Sequence, residues 1–183
     1  MKKLLLLALV LTFISKTFSQ DSKVSFELNY PIPVGDNFIE NGYNGIIDLG
    51  VDYKFANLNP VNIGVSLNGG LLKNNVGDDF KITSYTLQPR IFGELNLESL
   101  PKIHPSIGIG YTVMIFDVSR PLDDDVDNQN GFNLNFGVSY DINNRFFTQI
   151  QYDFIKLGKE DDIPNTSFNR NVNILKVGLG YKL

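Results

Sequence analysis

The chain has 183 residues, no cysteine, one histidine and a formal net charge of −4. Without thiols there is neither a disulfide framework nor a thiolate metal centre. The acidic balance argues against nucleic acid, whose phosphates require clustered Lys and Arg. Lys2 and Lys3, an apolar run from Leu4 to Ile14 and a polar exit from Ser15 to Gln20 predict a cleaved secretory signal over residues 1–20. That run is shorter than the ~20 residues a membrane-spanning helix needs; the alternative is a buried N-terminal helix. Residues 21–183 then form one domain, and removing Lys2, Lys3 and Lys16 takes its charge from −4 to −7. No later apolar run approaches the length of a membrane helix.

From Val24 onward apolar and polar residues alternate, the period of half-buried strands. The first segment alternates Val24, Phe26, Leu28, Tyr30 and Ile32 with Ser25, Glu27, Asn29 and Pro31. The second sets Tyr43, Ile47, Leu49, Val51, Tyr53 and Phe55 against Asp48, Gly50, Asp52 and Lys54, and the third runs from Val61 to Leu71. The fourth, from Tyr85 to Leu97, reads as the longest and contains Pro89. Proline cannot donate to a ladder, so a bulge is expected there. The fifth spans Ile107–Ile115, the sixth Phe132–Ile142, the seventh Phe146–Phe154 and the eighth Leu175–Leu183.

The apolar face of these segments carries no charge, whereas the opposite face carries ten charged residues and five large apolar ones: Ile46, Phe92, Met114, Phe147 and Ile174. Two closed barrels fit such alternation. In a soluble barrel of the lipocalin kind the apolar face points inward; in a membrane barrel it points to lipid. The polar face is mostly Gly, Asn, Ser and Gln, which suits a crowded narrow lumen better than a water-facing exterior. Tyr and Phe near many strand ends would form interfacial girdles. The connections alternate long (33–42, 73–80, 117–130, 158–169) and short (56–60, 98–104, 143–144). That is the rhythm of extracellular loops and periplasmic turns, and it places both termini in the periplasm. The expected fold is an all-β, closed, antiparallel, eight-stranded up-and-down transmembrane barrel.

The last segment is Lys176-Val-Gly178-Leu-Gly-Tyr181-Lys-Leu183. Its order (polar, x, Gly, x, x, aromatic, x, hydrophobic) is the pattern by which the barrel assembly machinery of Gram-negative outer membranes recognises a final strand. Together with the signal and the eight segments it resembles the small outer-membrane barrels of the OmpX, OmpW and OmpA-transmembrane type. It departs from their usual motif in ending on Leu183 rather than Phe. The resemblance covers nearly all of the mature chain as architecture. It implies a porin-like monomer in the outer membrane of a Gram-negative bacterium, in contact with outer-membrane lipid, lipopolysaccharide and the assembly machinery. It does not choose a function. The expected role is structural or cell-surface interaction; the alternatives are an OmpW-like conduit for small hydrophobic or polar molecules and an accessory of a secretion apparatus.

Inward charges are costly unless paired, so Glu27, Asp48, Asp52, Lys54, Arg90, Glu94, Asp153 and Lys176 are expected to form an ion-pair network that fills the lumen, with Asp141 and Lys182 beside it. Closure brings the last strand beside the first, which predicts Lys176 near Glu27. The long connections hold 12 acidic against 3 basic residues. Within them Asp123, Asp124, Asp125 and Asp127 are a candidate weak divalent-cation loop, although the tract fails the EF-hand pattern. No metal site, cofactor or catalytic residue is expected. His104, before Pro105, reads as a turn residue, and one histidine supplies neither a zinc site nor a triad.

Overall fold

The structure, a computed structural model, describes residues 23–74, 82–118, 128–159 and 163–183. Eight strands occupy these stretches: β1 (Val24–Val34), β2 (Tyr43–Leu58), β3 (Val61–Asn74), β4 (Ile82–Leu95), β5 (Ile103–Val118), β6 (Gln129–Asp141), β7 (Phe146–Leu157) and β8 (Asn171–Lys182). Two one-turn helices, α1 (Phe38–Gly42) and α2 (Ser167–Arg170), lie in the first and last long connections. Each strand pairs antiparallel with the next, and β8 pairs with β1 to close the barrel. Among the described residues no helix is long and apolar enough to cross a membrane. Closure leaves no sheet edge, so the backbone meets its hydrogen-bonding needs internally, as lipid requires.

Side-chain direction decides between the two barrels. Phe26 and Leu28 are 46% and 51% exposed on the outer wall, while Glu27 and Asn29 between them are 5% and 3% exposed. Leu49, Ile91, Ile109 and Ile150 are likewise exposed, and Asp48, Arg90, Asn135 and Gln149 are buried. The apolar face points outward and the polar face inward. A soluble capsule would have the reverse arrangement.

Four local features depart from the sequence reading. First, β2 and β5, at 16 residues each, are longer than the 14-residue β4. Second, Pro89 causes no bulge. It sits opposite Leu67 in the β3–β4 register, and the β4–β5 ladder passes from Leu87↔Val113 to Arg90↔Gly110 without a shift. The missing N–H is absorbed by a gap in one ladder, so no residue is inserted. Third, register shifts do occur in β2, between Gly45 and Ile47 and between Lys54 and Ala56. An extra residue in a strand exchanges inside for outside. Tyr43, expected on the lipid face, is therefore buried, and Ile46, expected inside, is 45% exposed. Fourth, β5 begins at Ile103, so His104 is a strand residue and not part of a turn.

Glycine is required where a large side chain crosses the narrow lumen. A Cβ on Gly180 would lie 2.0 Å from the ring of Phe147, its cross-strand partner. The absent side chain at 180 is the space in which Phe147 sits.

Candidate functional site

The lumen gathers the buried polar side chains of the barrel, in three tiers. The middle tier is a quartet of charges. Lys176 is 1% exposed, and its ammonium donates to Asp48 Oδ2 (2.8 Å) and Gln88 Oε1 (2.8 Å) and lies 3.0 Å from Asp153 Oδ2. Three donors meet three acceptors, the full complement of an ammonium. The Arg90 guanidinium donates to Asn133 Oδ1 (2.7 Å), Asn68 Oδ1 (3.2 Å), Gln88 Oε1 (2.7 Å) and Asp153 Oδ2 (2.8 Å). Amides complete the carboxylates: Asn135 donates to Asp153 Oδ1 at 2.7 Å, and Asn29 and Asn68 donate to Asp48 Oδ1 at 3.1 and 3.3 Å. Two cations face two anions, so the tier is neutral. Charges this buried are tolerated only when paired and hydrogen-bonded in this way.

Toward the long-loop end the lumen turns apolar. Ile39, Tyr43, Leu72, Met114, Ile155, Leu157, Val172 and Ile174 form one buried cluster, with Phe38, Ile82 and Phe116 against it. Ile39 comes from α1, which folds across the mouth. Its start is fixed by Asn37, whose Oδ1 accepts from Ile39 N (3.1 Å) and Glu40 N (3.0 Å) and whose Nδ2 donates to Val34 O (2.8 Å). The approach needs Gly35, at φ +85°, a region that favours glycine. Each fully buried aliphatic side chain contributes ~1.5–3 kcal/mol, so this cluster anchors α1 in the lumen at that end.

Toward the end with the termini the lumen widens. Lys54 pairs with Glu94, to which Asn62 also donates at 3.4 Å. Lys182 pairs with Asp141, and His104 places Nε2 3.1 Å from Asp141 Oδ2 and Nδ1 3.1 Å from Asn96 Oδ1. A cavity of about 500 Å³ opens here, lined among others by Lys54, Asn62, Glu94, Asn96, His104 and Lys182.

The expected network residues thus fall at two levels. Asp48, Arg90, Asp153 and Lys176 form the middle quartet, and Lys54 and Glu94 pair at the wide mouth. Glu27 and Asp52 lie side by side between the two levels, and Gln151 Nε2 donates to Glu27 at 3.2 Å. The expected contact of Lys176 with Glu27 is not made. Across the β1–β8 seam Glu27 faces Gly180 while Lys176 faces Pro31, four positions away, and the ammonium reaches over to β2 and β7 instead. Asp123, Asp124, Asp125 and Asp127 lie outside the described residues, as does the 1–20 signal. Among the described residues no group of three His, Cys, Asp or Glu is arranged to hold a metal ion.

The final-strand motif splits between the two faces. Lys176 is inside. Gly178 sits so near β1 that a Cβ would fall 2.0 Å from Asn29 Oδ1. Tyr181 is on the outer wall, edge-on to Phe146 at 5.1 Å between centroids. Leu183 ends the chain half-exposed, its N–H donating to Val24 O at 3.0 Å. Two groups of residues escape the reading of the sequence: the bridging amides Asn68, Gln88, Asn133 and Asn135, and the apolar cap. Carrying the alternation of β7 beyond Asp153 to Ile155 and Leu157 signals the cap.

The pattern described as outer membrane protein beta-barrel domain matches residues 5–182. Among solved structures the chain is similar to Neisserial surface protein A at 14% identity, with a TM-score of 0.57 over 87% of this chain and 96% of that one. It is also similar to Ail, the attachment invasion locus protein of Yersinia pestis, in complex with the heparin analogue sucrose octasulfate. There the identity is 10% and the TM-score 0.59, again over 87% of this chain and 96% of that one. At such identities the likeness concerns the fold. No curated protein matches the chain.

Proposed function

This chain belongs to the outer membrane protein beta-barrel domain family, and from that premise we propose that this outer-membrane protein serves a structural or surface-interaction role, without catalysis or conduction. The supporting observation is the doubly closed lumen: an ionic tier at Arg90 and Lys176 and an apolar cap under α1 lie in series. With the lumen filled at its middle and at the long-loop end, the long loops are the surface this barrel presents to an outside partner. The short turns and both termini face the periplasm, and the long loops face outward.

Its partners are then membrane lipid and lipopolysaccharide around the wall, with Lys176, Gly178, Tyr181 and Leu183 as the signal read during assembly, and the barrel works as a monomer. A non-catalytic reading is supported by His104, whose ring nitrogens are directed to Asn96 and Asp141. No hydroxyl is among its partners in the described residues, so no nucleophile is activated there. A conduit requires a path through both closures. Planar-bilayer recordings test this: the closed reading predicts no steady single-channel steps, and regular ohmic conductance of the wild-type protein overturns it. Deletion of residues 117–130 with a cell-adhesion readout tests the surface role, and unchanged adhesion removes that loop from it.

A further inference from the structure

The cavity of about 500 Å³ at the terminus-bearing mouth is not used by any role described so far. Three lysines line it: Lys23 just before β1, Lys54 on β2 and Lys182 on β8. Because β8, β1 and β2 are consecutive strands of the closed sheet, the three form one basic arc across two interstrand gaps, roughly 10 Å. The Lys54 N–H donates to Lys23 O at 2.7 Å, which makes these two neighbours across the β1–β2 pair. Glu94, on β4, is the carboxylate of the lining, and the terminal carboxylate of Leu183 is not part of it. The lining therefore carries a charge of +2, and Asp141 behind Lys182 leaves +1.

Hydrogen-bonding capacity points the same way as charge. Lys54 donates to Glu94 and Lys182 to Asp141, whereas among the described residues Lys23 has no ion pair. An ammonium has three donors, so the arc keeps N–H groups in excess. The acceptors are largely engaged. Glu94 Oε1 takes bonds from Lys54 and Asn62, and both oxygens of Asp141 take bonds from Lys182. Asn57 Oδ1 accepts from the Asn59 N–H at 3.1 Å, and Asn96 Oδ1 faces the His104 ring. Such a wall suits a ligand that accepts without donating, and its charge draws anions toward it. A single oxyanion would meet one end of the arc; two or more would span it. The acidic long connections, 12 against 3, lie at the opposite end of the barrel and compete little for the same ligand.

We infer that the cavity at the terminus-bearing mouth is a binding site for a small anion with two or more acidic groups, carboxylate or phosphate, held by Lys23, Lys54 and Lys182.

His104 lines the cavity and is the only histidine in the chain, so its imidazole resonances report this mouth alone. The full-length mature protein, folded in zwitterionic micelles, is titrated in parallel with citrate and pyrophosphate at fixed neutral pH and constant ionic strength. A saturable shift of the His104 signals is expected, with half-saturation on the order of 1 mM; the tighter of the two anions assigns carboxylate or phosphate. Acetate should need roughly tenfold more. Lys23→Gln, checked for folding by heat-modifiable mobility, should raise the half-saturating concentration roughly fivefold, and Lys23→Arg should keep it. Lys102→Gln, in the exposed turn outside the lining, should leave it unchanged. If Lys23→Gln does not fold, Lys54→Gln takes its place with the same expectation. Saturation by neither anion overturns the inference. So does acetate acting as well as citrate and pyrophosphate, unchanged binding in the folded lysine variant, or an equal loss in Lys102→Gln, which would mean general surface charge.

Discussion

Replacing Lys176 by methionine removes one charge from the centre of the lumen while keeping most of the volume of the side chain. In the wild-type barrel that ammonium serves both Asp48 and Asp153, and both carboxylates are 0% exposed. Without it two buried anions share one guanidinium, and Arg90 contacts only Asp153. Removing one partner of a buried pair costs roughly 3–5 kcal/mol, about two to three and a half orders of magnitude in the folding equilibrium. Lys176→Met combined with Asp48→Asn leaves Arg90 and Asp153 as a neutral pair. The double variant is therefore expected to recover about 2 kcal/mol relative to the single one, as coupled neighbours do. Urea titration in phospholipid vesicles, with the folded fraction read by heat-modifiable mobility and by far-UV circular dichroism, measures both. A single variant within about 1 kcal/mol of wild type, or a double variant less stable than the single, would refute the quartet as the ionic core.

Three further outcomes are expected. Gly180→Ala places a Cβ 2.0 Å from the Phe147 ring and should cost roughly 1–3 kcal/mol by overpacking. Adding Phe147→Ala should bring the urea midpoint back toward that of Phe147→Ala alone. Deleting residues 35–42 removes α1 from the cap, yet bilayer recordings should stay silent because the Arg90–Lys176 tier remains; steady conductance would show that the cap alone closes the lumen. Calcium, if held by Asp123, Asp124, Asp125 and Asp127, should raise the thermal unfolding temperature of the wild type but not of a variant with these four changed to Asn. An identical response of the two proteins removes the cation loop.

Most of the barrel is legible in the sequence because a lipid-facing strand is written one residue at a time. The alternation of Phe26, Leu28 and Tyr30 with Ser25, Glu27 and Asn29 marks a strand with two unlike faces, and the small, amide-rich polar face marks the inner one. What escapes is what breaks the period. The irregularity at Gly45–Ile47 exchanges Tyr43 and Ile46 between faces, and nothing in that run marks the extra residue. At Pro89 a local rule forecast a bulge, but closure of the whole barrel held the register and left a gap. The inner network was legible in its members and not in its pairs. Adjacency pairs Lys176 with Glu27, whereas the long side chain reaches past β1 to Asp48 on β2, diagonally to Asp153 on neighbouring β7 and across the lumen to Gln88 on β4. Cross-lumen partners are set by strand tilt and stagger, which no single segment reveals. The amides Gln88 and Asn68 looked like small polar filler, and they join the charges.

Lipid against the apolar wall is what separates this barrel from a water-soluble one. Because the chain has no cysteine, single cysteines at Leu49, Ile91 and Ile150 on the wall, and at Asn68, Asn135 and Gln149 in the lumen, can each carry a nitroxide in phospholipid vesicles. Oxygen, which concentrates in lipid, should broaden the first three spectra, and a water-soluble nickel chelate should leave them unchanged. The lumen set should resist oxygen. If the chelate reaches positions 49, 91 and 150 freely while oxygen gives no enhancement there, the wall faces water and the membrane barrel is contradicted.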